Sequence, residues 1–170
     1  SGIMNFDIAF ETLIGHEGAF QNRRSDRGNW TTGIVGQGTL KGTKFGISAM
    51  SYPDLDIVNI TLNVAKKIYL RDFWIPAGCE VFPDAIKFDV FDTAVNSGIN
   101  RATLILQQAA GVLADSKVGP KTMAAIEAAN PFSLHAKFNG YRLRFMSDLS
   151  VWDENSEGFA KRIAGNLINA

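Results

Sequence analysis

Pro83-Asp84-Ala85-Ile86-Lys87-Phe88-Asp89-Val90-Phe91-Asp92-Thr93-Ala94-Val95-Asn96-Ser97-Gly98 is the stretch whose reading decides the fold. Apolar side chains at Ile86, Phe88, Val90, Phe91, Ala94 and Val95 occupy much of a helical circumference. A helix of that kind belongs at the centre of a helical domain, with other helices laid against it. Pro83 suits its first turn, and Asn96-Ser97-Gly98 ends it.

Helical spacing continues on both sides of this centre. Asn5 is placed to cap a first helix that carries Phe6, Phe10 and Leu13 on one face and runs to about Glu17, with Gly18 as its stop. A short helix is expected from Ser48 to before Pro53, then one through Leu62, Ala65, Ile68, Tyr69 and Phe73, closed by Trp74-Ile75-Pro76. After Gly98, Asn100 is read as the cap of a helix ending at Gly111. Gly119-Pro120 opens another to about Ala129, Pro131 a long one through Leu149, and Ser156 the last. Between Gly18 and Gly46, seven of 29 residues are glycine, with Trp30, Thr31, Thr32, Ile34 and Val35 among them. That composition predicts a loop and short β-ribbon. So long a stretch without helix inside a small domain is more often functional than idle. The expected fold is mainly α, one domain over 1–170, with a small β-ribbon inserted after the first helix.

Composition sets outer bounds. The chain has 170 residues, enough for one domain with a real core. Lys and Arg number 17, as do Asp and Glu, so there is no electrostatic case for a nucleic-acid partner. No apolar run approaches the roughly 20 residues a bilayer helix needs. The single cysteine, Cys79, excludes an internal disulfide, and an inert thiol is expected over a reactive one. Ser1-Gly2-Ile3 ahead of Met4 reads as a cloning scar, and no secretory signal is visible.

Chemistry centres on Glu17. A carboxyl group at the end of an apolar stripe has a raised pKa and suits a general acid; a glutamate at a frayed last turn simply points to solvent. Eight residues separate Glu17 from Asp26, and five separate Asp26 from Thr32. An acid, a second carboxylate and a hydroxyl suit glycosidic hydrolysis. The acid protonates the leaving oxygen, the carboxylate activates water or faces positive charge on the ring, and a threonine holds the water. Against this, Ser25-Asp26-Arg27-Gly28 also has ordinary turn composition. Trp30, in the glycine-rich ribbon, is the better sugar platform, and Trp74 is read as core. Asn96 either bonds a sugar N-acetyl group or caps its helix. Asp89 and Asp92 are each a reserve second carboxylate, or the ion-pair partners of Lys87 and Arg101. His16 beside Glu17 invites a zinc reading, but the only other histidine, His135, lies in a different segment, so no metal or cofactor is expected.

The Glu17–Asp26–Thr32 spacing resembles that of phage-type lysozymes. More specifically, the chain resembles the glycoside hydrolase 108 group of N-acetylmuramidases, which includes phage endolysins and secretion-associated muramidases. The matching pieces are Glu17-Gly18, Asp26-Arg27-Gly28, Thr43-Lys44-Phe45-Gly46-Ile47-Ser48, Ala65-Lys66-Lys67-Ile68-Tyr69, Phe73-Trp74 and Phe88 through Gly98. Leu106-Gln107-Gln108 and Val118-Gly119-Pro120-Lys121-Thr122 resemble the family's C-terminal peptidoglycan-binding segment.

The resemblance implies a lysozyme-like orthogonal helical domain. Its catalytic part would be 4–98, with the ribbon at 18–46, and 99–170 a peptidoglycan-binding-like part that is not independent. It implies cleavage of the β-1,4 bond after N-acetylmuramic acid, with Glu17 carried over as acid; beside it Asp26 is expected as second carboxylate, Thr32 or, as second choice, Thr43 is expected to orient water, and the residues themselves offer Trp30, Thr43 and Asn96 as substrate contacts. Departures are Ala19-Phe20 where the family has Gly-Tyr, a lengthened loop between Gly28 and Gly42, Ser116 where glycine is common and Phe159 where tryptophan is. The implied partner is a peptidoglycan glycan strand, met by a monomer made in the bacterial cytoplasm and acting in the periplasm or wall. A holin or secretion system would deliver it, and an immunity or inhibitor protein would hold it off. A lytic transglycosylase and a non-catalytic wall-binding module are the rival readings.

Overall fold

The computed structural model describes residues 2–15, 18–149 and 152–169. Its helices are α1 (Phe6–Ile14), α2 (Leu62–Tyr69), α3 (Ile75–Ala77), α4 (Asp84–Ser97), α5 (Ile99–Ala110), α6 (Pro120–Ala128), α7 (Pro131–Ser147) and α8 (Trp152–Ile168). Strands β1 (Thr43–Lys44) and β2 (Ile47–Ser48) form a small antiparallel sheet with Thr43 opposite Ser48. The fold is mainly helical, as the periodicity predicts. The chain divides into two compact units, Ser1–Ala9 with Arg71–Ala170, and Phe10–Leu70.

In the first unit α4 is the hub. It packs against α5 and α7, α5 also meets α6, and α7 meets α8. Ile86, Val90, Phe91 and Ala94 are buried on α4, and Phe6, Trp74 and Phe91 form an edge-to-face trio with centroids 5.4–5.9 Å apart. Trp74 is core, its indole N–H donating to Glu80 Oε2 at 3.0 Å. Cys79 is buried, and burial pushes its thiol up to about 12, so it is inert as expected.

Two carboxylates of α4, Asp89 and Asp92, are also buried, and their partners differ from the expected Lys87 and Arg101. His135 Nδ1 bonds the Asp89 carboxylate. Arg142 Nη1 donates to Asp92 Oδ2 at 2.6 Å, and Arg162 Nε lies 3.2 Å from Asp92 Oδ1. Lys87 instead donates to Glu80 O at 2.9 Å, and the Arg101 guanidinium lies 4.3 Å from the Phe145 ring. The reason is register: His135 and Arg142 share one face of α7, which lies along α4, whereas Lys87 and Arg101 turn away. Two other expectations shift. Gly98, not Asn100, caps α5, and α8 starts at Trp152 rather than Ser156.

The link from α5 to α6 is organised by Gln107, which is 0% exposed. Its Nε2 donates to Asp115 Oδ1 (2.9 Å), Lys117 O (3.0 Å) and Thr122 Oγ1 (3.2 Å), and its Oε1 accepts from Ser116 N–H at 2.9 Å. The Lys117 backbone N–H, then the Gln107 amide, hold the Asp115 carboxyl below its usual range. Ser116 has φ +65°, a left-handed conformation natural to glycine.

In the second unit α1 stops at Ile14, with Gly15 in the following turn. The expected end of this helix, at about Glu17, lies outside the described residues. Residues 48–52 are strand and turn rather than helix. Ser48 pairs with Thr43, and its backbone carbonyl and hydroxyl then accept from Tyr52 N–H (2.9 Å) and Ser51 N–H (3.2 Å). Phe45 and Gly46, at φ +51° and +76°, make the hairpin turn, and Tyr69 Oη pins it by donating to Phe45 O at 2.6 Å. Phe10, Leu13, Ile47, Ile57, Ile68 and Tyr69 are the core of this unit.

Two outcomes are expected. The bond from Asp89, chiefly, raises the pKa of His135 above its ordinary 6.5, so the folded chain holds that proton more tightly than the unfolded one. Stability is then full below about pH 6.5 and falls as pH climbs through the raised folded value. Urea unfolding across that range should show this loss, and His135→Gln should flatten it. Ser116→Gly should raise the unfolding free energy by about 0.5–1 kcal/mol, because it relieves a left-handed non-glycine residue.

Candidate active site

The polar centre of the second unit is built on Asn29, whose side chain is 0% exposed. A buried amide needs partners for both ends. Its Nδ2 donates to Gln21 Oε1 at 2.7 Å and Arg23 O at 3.0 Å, and its Oδ1 accepts from Thr43 Oγ1 at 2.7 Å. Its backbone carbonyl accepts from the N–H groups of Lys41 and Gly42, both at 3.0 Å. Gln21 and Thr43 are themselves bridged, N–H to carbonyl in both directions at 2.9 and 2.8 Å.

Asp26 is tied into the same centre. It caps the 3₁₀ turn Arg27–Asn29, Oδ1 accepting from Gly28 N–H at 2.9 Å, while Oδ2 accepts from Gln21 Nε2 at 3.1 Å. The turn reading of Ser25-Asp26-Arg27-Gly28 is thus what the fold shows at this residue. The cap and the glutamine fix the carboxylate's direction, and a carboxylate's remaining lone pairs stay able to accept from water. Three hydrogen bonds run from Thr43 through Asn29 and Gln21 to Asp26. The Thr43 proton is committed to Asn29, which leaves its oxygen as an acceptor.

The other candidates stand apart from this chain of bonds. Thr32 is exposed at the loop tip. Its hydroxyl donates to Gln37 O at 2.9 Å and accepts from Ile34 N–H at 3.2 Å, so it closes the loop instead of joining Asp26. The lengthened segment between Gly28 and Gly42 carries it away, and Thr43 is the threonine that shares Asp26's network. Trp30 is not the open platform expected of it. It is 4% exposed, its indole N–H donates to Arg24 O at 2.9 Å, and the Arg24 guanidinium lies 4.9 Å from its ring. It bridges to Leu40 at the base of the loop, which is a structural position.

Asn96 is exposed at the end of α4, in the first unit, its Oδ1 accepting from Ser97 Oγ at 3.0 Å. Glu17 lies outside the described residues. Asp89 and Asp92, the reserve carboxylates, are spent on buried ion pairs. Gln21 and Asn29 were not legible as site residues, because lone amides in a glycine-rich stretch carry no spacing signature.

The family model described as Glycosyl hydrolase 108 matches residues 10–98, which include the whole Gln21–Thr43 network. Among solved structures, one described as the structure of Brucella abortus SagA matches with a TM-score of 0.81 and 22% identity, covering 96% of this chain and 92% of that chain. Likeness at that identity speaks for the fold alone. No curated protein matches the chain.

Replacing either threonine separates their parts. Thr43→Val should cost about 1 kcal/mol of stability through the lost bond to Asn29. It should also cost about a hundredfold in turnover, the scale of a misplaced reacting group. Thr32→Ala should change stability by no more than about 0.5 kcal/mol and turnover far less than Thr43→Val. Steady-state rates on purified cell walls with parallel urea melts check both.

Proposed function

The chain belongs to the glycosyl hydrolase 108 family and is a glycoside hydrolase, and from that premise we propose that it is an N-acetylmuramidase. Its bond is the β-1,4 link between N-acetylmuramic acid and N-acetylglucosamine in peptidoglycan. The observation that carries the reading is Asp26, a carboxylate aimed by Gly28 and Gln21 and tied through Asn29 to the Thr43 hydroxyl, inside the family-matched segment.

In this proposal Glu17 gives its proton to the glycosidic oxygen as the C1–O bond breaks. Positive charge develops on the ring that carries C1, left behind as the protonated oxygen departs, and Asp26 faces it or takes a proton from the attacking water. Water adds to C1, and a free reducing end is released. If water attacks from the face opposite the leaving group, the anomer is inverted and the two carboxyl groups stand ~6.5–9.5 Å apart. A covalent route on Asp26 goes with a separation of ~5 Å and a retained anomer. A lytic transglycosylase needs no second carboxylate, so an oriented Asp26 favours hydrolysis. The reading places the protein's work at the wall, on a glycan strand, after delivery by a holin or a secretion system.

Digestion of defined peptidoglycan, with product masses and anomers read for the parent and for Glu17→Gln, tests this. The parent should release reducing-end muramic acid, and Glu17→Gln should lose turnover by a factor of about 10²–10⁴, the usual worth of a general acid, at an unchanged melting temperature. Anhydro-sugar products would turn the reading to a transglycosylase, and undiminished turnover in the variant would remove Glu17 from its role.

A further inference from the structure

The strand segment that carries Gln21 has a second side. Gln21 turns into the Asn29–Asp26 network, while its neighbours Phe20 and Asn22 line a groove of about 600 Å³. Successive residues of extended chain face opposite ways, so the groove lies across this segment from Asp26. Its far wall is the 53–58 loop, with Asp54, Asp56 and Val58, and Lys41 completes the lining from the ribbon side.

The walls are held in place before any ligand arrives. Lys41 Nζ donates to Pro53 O at 2.6 Å and Lys44 Nζ to Val58 O at 2.9 Å, so two ribbon lysines strap the loop. The Phe20 ring rests on the ribbon backbone at Gly42. A Cβ at Gly42 would stand 2.6 Å from that ring and 2.6 Å from Gln21 O, and its φ is +89°. Gly42 therefore fixes where the ring lies, and Phe20 is still 36% exposed.

The chemistry of this lining selects its occupant. An exposed aromatic ring takes the C–H face of a pyranose. The exposed carboxylates of Asp54 and Asp56 and the amide of Asn22 are acceptors and donors for hydroxyl and N-acetyl groups around that ring. The lining has two carboxylates against one ammonium, and that ammonium already sits on a carbonyl. A polyanion or a carboxylate-rich stem peptide is disfavoured there; a neutral saccharide is not.

We propose that this groove is a second glycan-binding site, apart from the bond-cleaving site, that takes a neutral run of N-acetylated amino sugars. The proposal rests on the reading of the chain as a wall-glycan hydrolase. Two grips on one polymer raise the effective concentration of the enzyme at its substrate.

The test is amide chemical-shift mapping of the whole chain, as the Glu17→Gln variant to spare the probe, titrated with tetra-N-acetylchitotetraose. Shifts are expected at Phe20, Asn22, Lys41 and Asp54 through Val58. Phe20→Ala should weaken the groove's apparent Kd about tenfold, and Asp54→Asn, an exposed change with little folding risk, should weaken it several-fold. Saturable shifts that spare the groove overturn the proposal, as do groove shifts with a stem-peptide probe and none with the sugar, or unchanged groove affinity in both folded variants. Wall hydrolysis by the unsubstituted enzyme is scored separately. Reducing ends released while the groove stays silent sink this proposal alone; no reducing ends from the wall sinks the muramidase reading.

Discussion

The second unit depends on one demand: the Asn29 side chain, shut off from water, must have its amide satisfied. An unpaired buried donor or acceptor costs about 1–3 kcal/mol, comparable with much of a small unit's net stability. The segment meets the demand by bringing two pieces of chain to one point, Gln21–Arg23 with its amide and carbonyl, and Thr43 with its hydroxyl. None of them is part of a long regular element. The ribbon's shape is thus set by a polar residue at its centre, where α4 in the other unit is set by apolar ones. Asp26 inherits its direction from this arrangement, because Gln21 cannot serve Asn29 without also presenting its Nε2 to a nearby acceptor.

The first unit solves a different problem with the same rule. Asp89 and Asp92 are charges on the most buried helix, and each is matched from α7. Arg142 is 0% exposed, so its guanidinium has Asp92 in place of water. Such a pair adds little over a well-packed apolar one, but losing a single partner is costly. Its value is in register: α7 can slide along α4 only by breaking both ion pairs at once.

That contrast explains what was legible in the sequence. Helices are written in a period, so α4, α6 and α7 could be placed from Ile86 through Val95, Pro120 and Pro131. Starts were less secure where the cap was read from side-chain type: Gly98 and not Asn100 caps α5, and α8 begins at Trp152. The ribbon has no period. Asp26 was singled out by its spacing from Glu17, while the bonds that orient it come from Gly28 and Gln21 and show only in the fold. Trp30 was misplaced because an aromatic among glycines looks exposed, whereas this one covers the base of its loop under Arg24. Thr32 and Thr43 are indistinguishable by composition, and only the fold shows which hydroxyl meets Asn29. Partners far apart in sequence, such as Asp89 with His135, leave no local trace at all.

A ribbon with a polar knot on one side and an aromatic groove on the other has a consequence for how its parts vary. Gly42 serves both sides: its N–H donates to Asn29 O, and its missing side chain admits the Phe20 ring. Any side chain there would meet the ring and the Gln21 carbonyl together, in a backbone conformation that L residues rarely adopt. The two faces are therefore mechanically joined through one glycine. Displacing Phe20 would press on the backbone that carries Gln21, and with it the donor that aims Asp26. In a ribbon this thin, the Phe20 ring and the Asp26 carboxylate depend on the same few ångströms of main chain, and side-chain bonds to carbonyls at Arg23, Pro53 and Val58 hold its geometry in place of a longer ladder of strands.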